Sequence, residues 1–306
     1  SAYRGGSSFI RGDNVTVQNC NLDNNSATLR GGGINIAGDD CNIENVSVSN
    51  NRAGLMGGGI YVNSKGTTLT NITADNNAAE RGGAAFINGT SVTVRGGELN
   101  NNKANFNASK PNESGLGGAF DIVGNNILFD DVISNNNTAY LGGAAFIRGS
   151  NVTVQNSNLD NNSATLRGGA LNIGGGEGCQ ILNVSLSNNE AGTLGGAVYV
   201  VGDRSLFDNV TSVNNTAQEG GSSYIAGNEV VVKNCNLNNN SATINGGGLD
   251  VAGNNCTFVN VTLSDCNAAK DGGAVYVKGN NTVFDNVTSI HNHAERGGSS
   301  FIEGTT

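Results

Sequence analysis

Few residues in this chain could do chemistry, and their spacing decides what that chemistry would be. Acid–base work on a sugar needs two carboxylates on neighbouring elements, and a Ca²⁺ site needs several together. The outward acids that recur, Asp130, Asp208 and Asp285, are separated by 78 and 77 residues. The only histidines, His291 and His293, share one turn, where a solvated role outweighs a metal pair. Gly174-Gly175-Gly176 is not followed by the lysine of a phosphate loop. We therefore expect no catalytic residue, no metal and no cofactor.

Asparagine is the abundant candidate. Sequons of the form Asn-x-Ser/Thr begin at Asn14, Asn24, Asn45, Asn71, Asn88, Asn107, Asn112, Asn136, Asn151, Asn161, Asn183, Asn209, Asn214, Asn239, Asn255, Asn260, Asn280 and Asn286. Random placement would give roughly half that number, by the motif definition alone. N-glycosylation is expected at some of them. Turns favour Asn, Ser and Thr in any case, which is the competing explanation.

The elements that would position these residues are set out by glycine pairs. They start at Gly5, Gly31, Gly57, Gly82, Gly117, Gly142, Gly168, Gly195, Gly220, Gly246, Gly272 and Gly297, at intervals of 25 to 27 residues with one of 35. After each pair comes strand-like alternation, as in Ile34-Asn35-Ile36 and Val198-Tyr199-Val200. Similar short segments follow about ten residues later (Val15-Thr16-Val17) and again beyond that (Cys20-Asn21-Leu22). Three short strands per unit, without hairpin turns, predict an all-β fold: a single right-handed parallel β-helix of about twelve coils over residues 1–306. At strand spacing this is a rod on the order of 55 Å. Asp130, Asp208 and Asp285 would then lie about 14 Å apart, three coils each, too far for one site.

Before each glycine pair the chain reads Asn-x-Ala, with Asn25, Asn51, Asn77, Asn102, Asn137, Asn162, Asn189, Asn215, Asn240 and Asn292. Cys266 takes the Asn place once. Stacked, these residues predict a structural amide ladder. Cys20, Cys41, Cys179, Cys235 and Cys256 fall at inward positions that Val fills in sibling coils, so buried free thiols are expected for the six cysteines. Four residues after each pair start, an aromatic stripe recurs. Tyr61/Phe86, Tyr199/Tyr224 and Tyr276/Phe301 are adjacent in register, which predicts outward stacked rings as a ligand-binding or packing stripe. The long interval, with Pro111, predicts a loop insertion at about 103–115.

The glycine half of the repeat, Gly117-Gly118-Ala119-Phe120, Gly168-Gly169-Ala170-Leu171, Gly195-Gly196-Ala197-Val198 and Gly272-Gly273-Ala274-Val275, joined to Asn-x-Ala, resembles the repeats of chlamydial polymorphic outer membrane proteins. It is similar, too, to adhesin-like surface proteins of methanogenic archaea. Leu22, Val48 and Leu159 stand where that family's other half, Phe-x-x-Asn, has Phe. The resemblance implies an extracellular, cell-surface adhesive or architectural β-helix and carries over no catalytic residue. A carbohydrate-binding or polysaccharide-cleaving β-helix is the alternative.

A formal charge of −9, with only 13% charged residues, opposes nucleic-acid binding. No apolar run is long enough for membrane insertion by this segment. Ser1–Ile10 and Ala294–Ile302 share a phase, so the expected partners are other copies end to end or a longer parent chain, with surface glycans or proteins besides.

Overall fold

A computed structural model describes residues 2–305. These residues form an all-β structure without helix, in which parallel strands stack as a β-solenoid of about twelve coils. The chain divides into two compact units, Ser1–Asn158 and Leu159–Thr306, each carrying six of the glycine pairs.

In the first unit the strands after the glycine pairs, Ser8–Ile10, Ile34–Ile36, Ile60–Lys65, Ala85–Thr90, Phe120–Ile122 and Ala145–Ile147, pair in parallel in that order. Register is residue on equivalent residue: Tyr61 lies on Phe86, and Val62 on Ile87. The second unit repeats the arrangement with Leu171–Ile173, Val198–Val200, Ser223–Ile225, Leu249–Val251, Val275–Val277 and Ser300–Ile302. Alternate residues point into a continuous core of Ile34, Ile36, Ile60, Val62 and Ile87, all almost wholly buried. No coil could enclose these side chains alone, because the core of each is roofed by the next.

Two details differ from the sequence expectation. The Asn-x-Ala segment is itself a short parallel strand, as at Arg52–Ala53 and Ala78–Ala79, rather than only a bend. The second and third expected strands are continuous in part of the first unit, as in Thr68–Thr73, where Asn71 in the left-handed region turns the chain without ending the ladder.

The glycine pair is required by close approach. Gly57 has φ +62°, a region that costs glycine nothing. A Cβ on Gly58 would run into the Gly83 carbonyl oxygen and come within 2.6 Å of the Ala78 backbone nitrogen. The glycine corner of one coil therefore rests on the Asn-x-Ala strand of the next, which also keeps Ala53, Ala79 and Ala104 small and buried.

The Asn ladder is present, with more connections than amide-to-amide bonding alone. Each Asn Oδ1 accepts from the backbone N–H of the Asn one coil earlier: Asn25 to Asn51 at 2.7 Å, Asn51 to Asn77 at 2.8 Å, Asn77 to Asn102 at 2.9 Å and Asn102 to Asn137 at 2.8 Å. In the second unit the chain runs Asn162, Asn189, Asn215, Asn240. Side-chain Nδ2 groups donate to the same acceptors or to core carbonyls, as Asn215 does to Leu186. At Cys266 the amide is replaced by a thiol that receives the Asn240 hydrogen bonds, while Asn292 still accepts from the Cys266 N–H at 2.8 Å.

Sulfur is a weak acceptor, so this is the ladder's soft point. Asn215→Ala should cost about 3 kcal/mol by leaving buried donors unpaired. Cys266→Asn should stabilise the chain by about 1 kcal/mol. Chemical denaturation of the two variants against the parent chain checks both signs.

Candidate functional site

The stripe expected to face solvent is instead the floor of a covered groove. Tyr61, Phe86, Tyr199 and Tyr276 are buried; Tyr224 and Phe301 are half-buried. The rings do stack, with centroids 5.4 Å apart for Tyr61 and Phe86 and 5.8 Å for both Tyr199/Tyr224 and Tyr276/Phe301. What covers them is a rim of long side chains. The residue before each glycine pair bridges in register to its equivalent, as in Arg30, Met56 and Arg81. From there Arg30 and Arg167 lie 5.0 Å over the Tyr61 and Tyr199 rings and donate to their hydroxyls, at 3.1 and 3.4 Å. Arg81 and Arg296 cover Phe86 and Phe301 at 4.7 and 4.5 Å. On the opposite rim, six residues after the pair start, Arg148 covers Phe146 and Lys278 covers Tyr276.

The stripe is thus a second, narrow core on the outside of the glycine sheet, built by cation–π packing. Burial closes Tyr61, Phe86, Tyr199 and Tyr276 to an open ligand surface and fits the packing reading for these four, while Tyr224 and Phe301 stay half-buried. The rim cations were the residues missed in the sequence. Their fixed offsets from the glycine pairs, one before and six after, were the available signal.

Asn or Asp interrupts the rings at Asn35, Asp121, Asn172 and Asp250, all buried. Asp121 shows how such a charge is held. Arg81 Nε donates to its Oδ2 at 2.6 Å and Arg148 to its Oδ1 at 3.4 Å, from the coils on either side. Burial pushes the Asp121 carboxyl up from its ordinary range, and the two guanidiniums oppose that shift.

The sequon asparagines occupy corners. All except Asn88, Asn107, Asn112 and Asn280 have positive φ, between 50° and 60°. Asn enters that region at little cost, so corner geometry alone favours it there. Many form exposed amide rows: Asn45 Nδ2 donates to Asn19, Asn71 to Asn45, Asn151 to Asn126, Asn209 to Asn183, Asn214 to Asn188, Asn239 to Asn214, Asn260 to Asn234 and Asn286 to Asn260, at 2.7–3.2 Å. Asn88 donates to Asn63 in the same way. Asn14, Asn24, Asn136, Asn161 and Asn255 are exposed at corners.

The insertion leaves the solenoid after the strand Lys103–Ala104. It is tied down rather than free: Phe106 stacks on Tyr140 at 4.1 Å, Asn107 Nδ2 donates to Glu80 at 3.1 Å, and buried Ser114 donates to Lys110 and Asn107 carbonyls. Asn112 is exposed at its tip. No disulfide links the six cysteines; five are buried and Cys20 is half-buried. Burial pushes the Cys235 thiol up to about 11, which makes it a poor nucleophile.

The remaining candidates are not brought together. Asp130 pairs with Arg95 at 3.4 Å and Asp208 with Lys233 at 3.2 Å. Hydrogen bonds from Asn156 and Asn234 hold these carboxyls below the usual range. His291 lies 3.7 Å from Asp265. Among the described residues no group of three His, Cys, Asp or Glu could hold a metal ion.

Breaking the Asp121 triad should be costly because one buried carboxylate loses its closest cation. Arg81→Met is expected to destabilise the chain by about 3 kcal/mol, and adding Asp121→Asn should recover most of that loss in denaturant titrations.

No protein-family model matches the chain, and none of the curated proteins matches it.

Proposed function

We propose that this chain is a non-enzymatic, glycosylated structural or adhesive segment of an extracellular cell-surface protein, acting as stalk, adhesin or end-to-end filament subunit. The observation that carries the reading is where the recurring polar residues are spent. The Asn ladder satisfies buried backbone donors, the corner asparagines hold the bends, and the rim cations cover the aromatic rows. A repeat whose recurring polar groups are engaged in holding coil to coil is suited to making length and surface. Resemblance to polymorphic outer membrane protein and methanogen adhesin-like repeats supports the same reading.

A carbohydrate-binding role has one observation in its favour. An open polar cleft of about 260 Å³ in the first unit is lined by Asp39, Asn63, Ser64, Lys65, Asn88, Gly89 and Thr90. Such side chains could meet sugar hydroxyls.

On a panel of acidic polysaccharides the chain should release no product; turnover would replace the structural reading with the enzymatic one. Mass spectrometry of material from the native source should find glycan on exposed corner residues such as Asn24 or Asn161, and electron micrographs should show fibres longer than one chain. Unmodified, dispersed single chains would count against both parts of the proposal.

A further inference from the structure

The second unit contains a buried carboxylate that the first unit's logic leaves without a partner. Asp250 occupies the place in its coil that Asp121 occupies in its own, between Tyr224 on one side and Tyr276 on the other. It is fully buried, yet neither carboxyl oxygen has a hydrogen-bond partner. The two rim positions that supply Arg81 and Arg148 to Asp121 are here Glu219 and Lys278. One cation has become an anion, and the other is engaged elsewhere. Lys278 Nζ lies 3.9 Å from Glu219 and 4.8 Å over the Tyr276 ring. Tyr276 turns its hydroxyl away to Glu303, at 2.9 Å.

We propose that Asp250 is a proton-binding site, and that its ionisation loosens the coils around it. Tyr224 faces Asp250 from the preceding coil, its hydroxyl pushed up to about 12 by burial first and then by Asp250, with Arg167 opposing. Glu219 faces Asp250 from the preceding coil and Lys278 from the following one. Asp271, paired with Arg296 at 2.6 Å, and Glu303 lie beyond, around Tyr276. A neutral acid matches a groove holding one lysine and one glutamate; a carboxylate there would leave an uncompensated buried charge. A bound metal cation is disfavoured by the same lysine. Burial first, then Glu219, pushes the Asp250 carboxyl up to about 7, with Lys278 opposing.

The sign follows. The unfolded or opened chain ionises near the ordinary carboxylate range, whereas the folded chain holds its proton to near neutrality. Stability at this place is greatest in acid, falls as the pH rises through the interval up to about 7, and stays low above it. This is opposite to Asp130, Asp208 and Asp271, whose lowered carboxyls favour folding above their range.

The test is a carboxyl titration of the whole chain with ¹³C-labelled aspartate, Asp250→Asn assigning the signal. A midpoint near 7 is expected; one near 4 would overturn the proposal. Hydrogen exchange, corrected for intrinsic rates, should show protection of Ser223–Ile225, Leu249–Val251 and Val275–Val277 falling on the order of a hundredfold from pH 5 to pH 9. Asp250→Asn, the amide that Asn35 and Asn172 already place in sibling coils, should remove that dependence. Glu219→Arg should lower the midpoint by restoring a guanidinium. A midpoint unmoved by Glu219→Arg, or one moved by adding Ca²⁺ or Na⁺ at constant ionic strength, would also overturn the assignment. The titration of the parent chain decides the question even if a variant fails to fold.

Discussion

The constraint on which everything else depends is that each coil's backbone hydrogen bonds point along the stack, to residues at or beside the equivalent position one repeat away. Equivalent positions therefore touch, and a residue type chosen once must be compatible with its own copy above and below. Apolar residues meet this condition without direction, which gives the core of Ile34, Ile60 and Ile87. Buried polar residues meet it only if they can donate on one side and accept on the other. Asparagine does both with one side chain, so it can stack on itself, and along the first unit's ladder Asn51 Nδ2 is the amide left without a partner. Aspartate cannot: buried Asp121 depends on Arg81 and Arg148 from adjacent coils, and Asp250 is left without a hydrogen-bond partner.

Much of this was legible from residue types and intervals. The glycine pairs give the coil length, the alternating triplets give the inward faces, and Asn-x-Ala gives the ladder. The structure agrees with each because the repeat makes a local choice and a stacking choice identical. Exposure of the aromatic stripe was not legible in the same way. Alternation correctly placed Tyr61 and Phe86 away from the main core, but a period of two cannot report a second layer. The cover comes from Arg30 and Arg81, residues that alternation alone reads as ordinary surface charge. Likewise, the excess of Asn-x-Ser/Thr looked like a signal for modification, while the positive φ at Asn45, Asn71 and Asn209 gives asparagine a conformational reason to be there.

The departures from the repeat carry the information that regular coils do not. Cys266 interrupts the amide ladder. The 35-residue interval inserts a loop that is pinned by Phe106 and Asn107 to its neighbours. Glu219 and Lys278 replace a matched pair of arginines around a buried acid. In a fold where most positions are fixed by the stack, a local exception is either compensated or left as a place of altered stability. The loop is compensated; Asp250 is not.

Backbone bonds along the stack have a mechanical consequence within each unit. Tension applied in the stacking direction loads those bonds end-on and in small sets, so coils peel away in succession instead of shearing together. Each regular coil set free, at 25 to 27 residues, releases roughly 85 Å of extended chain, and the 35-residue coil more. A unit pulled this way gives up length in steps, dissipating load as a shock absorber does.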